Sequence, residues 1–395
     1  MRNTLLPVKS TTAAQRPSFE EPWDIPLARR LHLLEADTLR VGYFYEVPES
    51  GSFRYRAYNM AQALNHHSKK YSASFFFLSD LPLIEDFTDY LDILVLVRFR
   101  YSGTVGRLID QFRAKGKPIA FDIDDLIFSP HHTPMVAATL NFGVNPGLVL
   151  DNWFALTSRL SHTLSLCDSA LTTTPTLAQE VRNTAGLSAC VIPNFLNAEQ
   201  VSASEEASAG KASLAHKGFT VGYFSGSTSH ARDFAVAAPA LSQFLSHHPE
   251  ARLVIAGILD VPQELQSKKD QIDRLPFMDY LSLQQAVAQV DLNIVPLQSN
   301  IFTDSKSELK YFESAAVNTP TLATPTEVYQ RVIQNGVNGW LSSDDGWLGS
   351  LEKIASLNRQ KRESVAARAN KSVMATYTGA QQVTAIEQAL EGIKP

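Results

Sequence analysis

The chain has 395 residues, a length that exceeds one ordinary hydrophobic core and predicts two domains with terminal extensions. With 44% hydrophobic and 19% charged residues and a formal net charge of −5, it is typical of a globular protein and gives no sign of a nucleic-acid partner. It has no apolar run of about 18 residues that would span a membrane, and its two cysteines predict neither a disulfide framework nor a metal centre.

We predict that the first 38 residues form a tail followed by a short helix. Residues 1–22 contain only a brief apolar patch, too short for a signal peptide, so we expect a mobile tail. The segment IPLARRLHLLEA (25–36) is amphipathic and mildly basic. It predicts a helix docked on its own domain, with a membrane surface as the alternative.

Residues 39–202 predict a first domain of alternating strands and helices. Several of its strands are continuously apolar, as in a parallel sheet that is buried on both faces. The predicted strands are LRVGYFY (39–45), SASFFFLS (72–79), LDILVLVRF (91–99), KPIAFDI (117–123) and SALTTT (169–174). Helical segments between them indicate βα units.

A second block repeats this plan over residues 219–375, after a small, polar linker at 203–218 and before a C-terminal helix at 376–395. Its predicted strands are FTVGYFSG (219–226), ARLVIAGIL (251–259), VDLNIVPL (290–297), TPTLAT (319–324) and NGWLS (338–342). The fold class is therefore α/β, with two facing Rossmann-like domains closed by C-terminal helices. Ligands of such sheets bind outside the carboxyl ends of the strands, here in the cleft between the domains.

Two glycine-containing loops follow the first strand of each block. In GYFSGSTSHARDF (222–234), the turn at Gly226 and Ser227 could present backbone N–H groups to a phosphate, with Arg232 within reach. In GSFRYRAYN (51–59), Gly51 would allow close approach of a ligand, and Arg54 and Arg56 could meet phosphate. The alternatives are an ordinary capped loop and a solvated helix face.

The acidic cluster FDIDD (121–125) ends a predicted strand and leaves several interpretations open. A phosphatase of the haloacid-dehalogenase type would use Asp122 as nucleophile with Asp124 and Mg²⁺, although Leu126 stands where that motif has threonine. A metal-dependent sugar transferase also uses Asp-x-Asp. The remaining interpretations are a cleft loop in which Asp124 or Asp125 contacts an acceptor hydroxyl, and simple helix capping.

The segment TDSKSELKYFESAAVNTPTLAT (303–324) predicts a loop, a helix, and a short strand. Ser305 and Glu308 have the spacing of a capping box. Lys310 and Glu313 have the spacing of a helical surface pair. Neither feature explains why small residues and a strand follow so closely.

Together with GYFSGSTSHARDF and VIQNGVNGWL, this segment resembles the donor-binding half of family 4 glycosyltransferases. These are retaining enzymes with two facing Rossmann-like domains, the GT-B fold. The resemblance implies that Glu313 binds the ribose of the nucleotide and that the loop before its helix wraps the donor sugar and phosphates. The donor-binding residues that it implies are Gly226, Ser227, Arg232, Phe277, Lys306, Ser307 and Glu313.

The resemblance also implies the reaction, a metal-independent transfer of a sugar with retention. Catalytic roles fall to Asp124, Asp125 and Lys306, and Gly51 and Arg54 lie on the phosphate and acceptor side. No metal site and no permanent cofactor are expected. The donor would be a UDP, GDP or TDP sugar, and the acceptor a glycan or glycolipid in cell-surface polysaccharide or glycolipid assembly. The implied location is cytoplasmic, with peripheral contact at the inner membrane face as an option.

The chain departs from the family pattern at two places. Ser305 stands where the family has the first of two glutamates, and Asp304 is an alternative replacement. Near the phosphate loop expected in the second domain, the family has an Arg and Lys pair, and this chain has only Arg232. These departures keep open a non-catalytic nucleotide-binding module of the same fold.

Overall fold

The computed structural model describes residues 20–140, 146–210, 218–226 and 230–394. The predicted tail at 1–19 and the predicted site residue Ser227 lie outside these ranges. Within the described residues, none of the helices combines the length and apolarity needed to cross a bilayer.

The first domain contains a six-stranded parallel sheet with the order β2-β1-β3-β4-β5-β6. The strands are β1 Leu39–Tyr45, β2 Tyr71–Phe77, β3 Ile93–Val97, β4 Ile119–Ile123, β5 Ser169–Thr172 and β6 Ala189–Val191. Strands β2 to β5 are buried along their whole length, which explains their continuous apolar sequences. The unpredicted strand β6 is a short, mostly exposed edge strand, and it lacks that signal.

Helices cover both faces of this sheet. They are α1 Leu27–Leu31, α2 Asn59–His67, α3 Gly103–Ala114, α4 Thr133–Thr139, α5 Pro146–Ser165 and α6 Pro175–Ala185. A π-helical turn at Arg54–Tyr58 leads into α2. Helix α1 docks on its own domain as predicted, because Arg30 is buried and pairs with Asp80.

The second domain has the sheet order β12-β11-β10-β7-β8-β9. Its strands are β7 Thr220–Ser225, β8 Arg252–Gly257, β9 Ile272–Leu275, β10 Leu292–Val295, β11 Thr321–Ala323 and β12 Trp340–Leu341. This is the strand order of a dinucleotide-binding Rossmann fold. The two parallel sheets confirm the predicted α/β class with two Rossmann-like domains.

The remaining helices surround the second sheet and return to the first domain. They are α7 Ala198–Gly210, α8 Ala231–Ala235, α9 Ala238–His247, α10 Tyr280–Ala288, α11 Ile301–Asp304, α12 Leu309–Ala316, α13 Glu327–Val332, α14 Trp347–Ser356, α15 Arg359–Met374 and α16 Gly379–Glu391. The described first part of the predicted linker 203–218 belongs to α7. That helix packs on the second domain, where Ser204 Oγ accepts a hydrogen bond from Gln284 Nε2 at 2.8 Å.

One hydrophobic core continues from the first domain into the second. The ring of Phe312 on α12 stacks on Tyr377 at 5.1 Å and meets Tyr55 of the first domain edge-on at 6.0 Å. The described parts of the two domains are thus packed together beside the cleft.

The strand order of each sheet reverses at one point, between β1 and β3 in the first sheet and between β7 and β10 in the second. Adjacent loops separate there and leave a crevice at the carboxyl ends of the strands. Both crevices open towards the cleft between the domains, so the topology selects the loops after these strands as the candidate site.

A fully buried ion pair ties the π-helical turn to the first sheet. Arg56 donates to both carboxylate oxygens of Asp122, at 2.8 and 2.9 Å, and also to the Ile192 carbonyl at 2.7 Å. Both side chains have no solvent-accessible surface. The pair therefore fixes the turn that carries Arg54 and Tyr55 into the cleft.

We predict that Asp122→Ala destabilises the protein by about 3–5 kcal/mol, because it leaves the Arg56 guanidinium buried without its partner. Urea denaturation measures this loss. Lys70→Ala, which breaks an exposed pair with Glu391, is the control and should unfold close to the parent. A loss below about 1 kcal/mol for Asp122→Ala would contradict the importance of the pair.

Candidate active site between the domains

The loops selected by the topology bring charged side chains of both domains together. Asp124 and Asp125 follow β4, and Lys306 lies between α11 and α12 of the second domain. Lys306 Nζ lies 3.4 Å from Asp125 Oδ1 and 4.4 Å from the centre of the Phe302 ring. The three residues predicted as catalytic thus meet at one place in the cleft.

Arg98, directly after β3, organises the two carboxylates. Its Nη1 atom donates to Ser52 Oγ, to Asp124 Oδ1 at 3.0 Å and to Asp125 Oδ2 at 3.3 Å. Its φ of 46° is unusual for a residue other than glycine, and such backbone strain is concentrated at functional sites. Burial acts to raise the pKa of Asp125, but Lys306 and Arg98 outweigh it and hold the pKa below its usual value.

Glu313 on α12 is buried beneath side chains of the first domain. Its Oε1 atom accepts hydrogen bonds from the Tyr55 hydroxyl, from Arg54 Nη2 at 3.5 Å and from Gln200 Nε2 at 3.5 Å. The Arg54 guanidinium lies over the rings of Tyr55 and Tyr280, at 4.1 and 4.5 Å, and its Nη1 atom has no hydrogen-bond partner. The predicted pair of Glu313 with Lys310 is not formed.

A histidine and a buried aspartate face the same cluster. His230 Nδ1 lies 3.1 Å from Asp233 Oδ2, and Gln298 donates to the other oxygen of Asp233 from its backbone and its side chain. Burial lowers the pKa of His230, the nearby Lys310 and Lys306 charges add to this, and the bond to Asp233 opposes it only in part. The imidazole is therefore neutral near pH 7.

Lys310 provides a further cation from the first turns of α12. Its Nζ atom donates to the Phe224 carbonyl at 2.7 Å and lies 4.8 Å from the centre of the Tyr223 ring. Burial lowers its pKa to about 8, with a contribution from Lys306. Lys310 thus links α12 to the end of β7.

Several predicted contacts are absent from this arrangement. The Gly51 amide donates to the Glu49 carboxylate, which also accepts from the Phe53 amide at 2.6 Å, so both N–H groups are already bonded. Arg54 was expected to meet a phosphate, but in the structure its guanidinium is paired with Glu313. Arg232 is exposed and donates to the Ala138 carbonyl of the first domain at 2.7 Å.

The remaining predicted donor residues lie around the cleft. Ser307 is buried, and its Oγ accepts a hydrogen bond from Asn194 Nδ2 at 3.1 Å. Gly226 follows β7 and is the last described residue before the gap at 227–229. Phe277 precedes α10 and is largely exposed.

The predicted capping box of Ser305 and Glu308 is wrong. Ser305 closes α11, with its hydroxyl donating to the Ile301 carbonyl at 2.7 Å, and α12 begins only after Glu308. Asp304 Oδ1 accepts from the Glu327 amide at 3.0 Å, which places it at the start of α13. Ser305 therefore follows the last residue of α11 and does not cap the start of α12.

The structure also argues against the phosphatase alternative. Asp122 is fully buried and bonded to Arg56 through both oxygens, so it cannot reach a phosphoryl group. Among the described residues, no group of three or more histidine, cysteine or acidic side chains is arranged to hold a metal ion.

Sequence reasoning missed four residues of this cluster, namely Arg98, His230, Asp233 and Lys310. The available signal was the spacing of His230 and Asp233, which stand three residues apart and directly after the sequence GSTS. Arg98 gave no comparable signal because its partners follow other strands.

Comparison with known proteins identifies the fold and the second domain. Residues 218–358 match the family model described as glycosyl transferases group 1. Three similar solved structures are HepE of Anabaena with UDP and glucose, sucrose-phosphate synthase of Thermosynechococcus elongatus and a glycosyltransferase of Rickettsia africae. They have 14%, 13% and 12% sequence identity and TM-scores of 0.57, 0.59 and 0.61. The similarity covers 89%, 89% and 90% of this chain and 98%, 99% and 97% of theirs.

Residues 218–358 of the second domain thus match the group 1 glycosyltransferase model, and the fold of the two domains is that of the GT-B glycosyltransferases to which the chain is similar. The predicted resemblance is confirmed at the level of this match and of the fold. No curated protein matches the chain.

We predict that Asp125→Asn lowers the free energy of unfolding at pH 7 by on the order of 1–3 kcal/mol, because Lys306 and Arg98 lose an ionised partner. The pKa of Asp125 is lower in the folded state, so its contribution is present above the unfolded pKa and is lost as the pH falls through the folded pKa.

The difference between parent and variant should therefore shrink as urea denaturation is repeated from pH 7 down to pH 3. The exposed Asp110→Asn variant is the control for general effects of charge. A difference that stayed constant or grew towards pH 3 would contradict the ionised pairing of Asp125.

Proposed function

We propose that the protein is a glycosyltransferase that uses the cleft to move a sugar from a nucleotide diphosphate donor to an acceptor hydroxyl, with retention of the anomeric configuration. The observation that carries the proposal is the meeting of Lys306 with Asp125 where the two Rossmann-like crevices face each other. A leaving diphosphate requires a cation, which the second domain supplies. An attacking hydroxyl requires carboxylates, which the first domain supplies.

In the proposed reaction the acceptor oxygen forms a bond to the anomeric carbon, and the bond from that carbon to the diphosphate oxygen breaks. The diphosphate leaves with the electron pair, and the acceptor proton passes to it on the same face of the sugar. Lys306 stabilises the leaving charge, and Lys310 adds to the positive potential. Asp124 and Asp125, held by Arg98, face the acceptor.

The nucleoside end of the proposed site lies at Glu313, whose carboxylate would accept hydrogen bonds from the ribose. This role requires the Tyr55 hydroxyl and Arg54 to give up part of their contact with Glu313. The unpartnered Arg54 Nη1 and the ring of Tyr280 supply further contacts beside it. Gly226, Ser227, Ser307 and Phe277 would complete the donor site.

Support for a nucleotide donor comes from the matched domain and from the fold, since HepE of Anabaena was solved with UDP-glucose as well as with UDP. In our proposal UDP, GDP and TDP sugars are all candidate donors. The acceptor is a glycan or glycolipid of cell-surface polysaccharide or glycolipid assembly, met in the cytoplasm or at the inner membrane face. No metal is required, because cationic side chains meet the diphosphate.

A non-catalytic nucleotide-binding module is the second candidate. Ser305 is fully buried and bonded to the Ile301 carbonyl, so it does not replace the family glutamate in the cleft. Release of free sugar and nucleotide from a bound donor would decide for the transferase. Binding without any turnover, with acceptor glycans present, would decide for the module.

The first test is thermal unfolding with UDP, GDP, TDP and CMP, each with Mg²⁺ or with EDTA. A nucleotide that binds the folded state stabilises it by about 2.7 kcal/mol at a hundredfold excess over Kd. We expect one diphosphate to raise the unfolding temperature equally in EDTA. Failure of all four would refute the proposed site, and a shift that required Mg²⁺ would refute metal independence.

We further predict that Glu313→Gln weakens binding of that nucleotide at least about tenfold, a loss of about 1.4 kcal/mol, since the amide offers the ribose a weaker acceptor. The glutamine keeps the size of the side chain beside Arg54. Tyr55→Phe is the matched control, because it removes only the hydroxyl that competes for Glu313. Calorimetric titration should show unchanged or tighter binding in Tyr55→Phe. Equal affinity in Glu313→Gln and the parent would refute the ribose role.

A further inference from the structure

The side chain of His230 has one ring nitrogen fixed and the other directed away from its partner. Asp233 is 1% exposed, and its oxygens accept from His230 Nδ1 and from Gln298. This arrangement holds Nδ1 as the donor and leaves Nε2 without a hydrogen-bond partner among the described residues, on a ring that is partly exposed. A carboxylate bonded to one ring nitrogen fixes the tautomer and the orientation of the imidazole.

The groups around His230 are those of the cleft cluster. Lys306 and Lys310 of the second domain and Asp125 of the first domain all interact electrostatically with it, in addition to Asp233. The histidine lies between β7 and α8, at the reversal point of the second sheet. It therefore stands where the Rossmann crevice opens, within electrostatic range of the cation that we assign to the diphosphate.

We propose that His230 is a ligand of the donor diphosphate and takes up one proton from solvent when the nucleotide sugar binds. Once protonated at Nε2, the ring donates a hydrogen bond to a phosphate oxygen while Nδ1–H continues to donate to Asp233. This inference rests on the proposed function and adds a residue to the same site.

The electrostatic reason is the change of charge on binding. In the empty site, burial and the two lysines keep the imidazole neutral. A diphosphate brings two negative charges next to the lysines and reverses the sign of the potential at the ring. The pKa of His230 then rises, so proton uptake is coupled to binding.

The test is calorimetric titration of the full chain with UDP-glucose, GDP-mannose and TDP-glucose at pH 6.5 in two buffers of different ionisation enthalpy. The diphosphate of a nucleotide sugar is a diester and does not titrate near this pH. Lys310, whose pKa is about 8, is already protonated there and contributes no uptake. The dependence of the observed enthalpy on buffer counts the protons taken up.

We expect uptake of a large fraction of one proton by the parent and close to none by His230→Gln, whose amide can still donate to Asp233. Affinity of the parent should rise by up to about tenfold for each unit of falling pH between the free and bound pKa values, and that of His230→Gln should stay nearly constant. The control is His248→Gln, at the end of α9 beside Glu352, which should behave as the parent.

Binding by the parent without proton uptake would overturn the inference and leave the proposed function standing. Undiminished uptake in a His230→Gln variant that unfolds at the parental temperature would do the same. Failure of all three nucleotide sugars to bind would overturn the inference together with the proposed function.

Discussion

Two ion pairs cross the cleft in opposite directions, and the geometry of the site depends on both. Lys306 of the second domain meets Asp125 of the first at 3.4 Å, and Arg54 of the first meets Glu313 of the second at 3.5 Å. Each domain supplies one cation and one anion. Because an unpaired buried charge costs several kcal/mol, Arg54 and Glu313 depend on each other across the cleft, whereas Asp125 is also held by Arg98 of its own domain.

If the proposed function holds, the same pairs set what an incoming donor must displace. A diphosphate at Lys306 would compete with Asp125, which keeps a second contact with Arg98 at 3.3 Å. A ribose at Glu313 would compete with Tyr55 and Arg54. Donor binding would then exchange contacts between the domains for contacts with the ligand.

Most strands of both sheets could be predicted from the sequence, because strands buried on both faces have continuous apolar runs. It did not reveal β6 or β9, whose residues are partly exposed at the sheet edges and follow no such pattern. Asp124 and Asp125 were predicted from an acidic cluster at the end of a strand and Lys306 from the family resemblance; the structure brings the three side chains together, and their roles stay predictions. The pairing of Arg54 with Glu313 was not predicted, since the two are 259 residues apart and only the packed domains bring them together. The capping box failed because the local spacing of Ser305 and Glu308 carries no information about where α11 ends.

The departures of this chain from the family pattern acquire a physical meaning in the same cluster. A permanent Arg and Lys pair after β7 would add two fixed positive charges beside Lys306 and Lys310. The chain has instead a histidine held neutral by burial and a lysine whose pKa is already lowered to about 8. The neutral histidine adds no charge to the empty cluster, whereas Lys310 remains largely protonated near pH 7. If a diphosphate binds as we propose, His230 acquires its charge only then, which would make affinity for a diphosphate more sensitive to pH than in an arginine-based site.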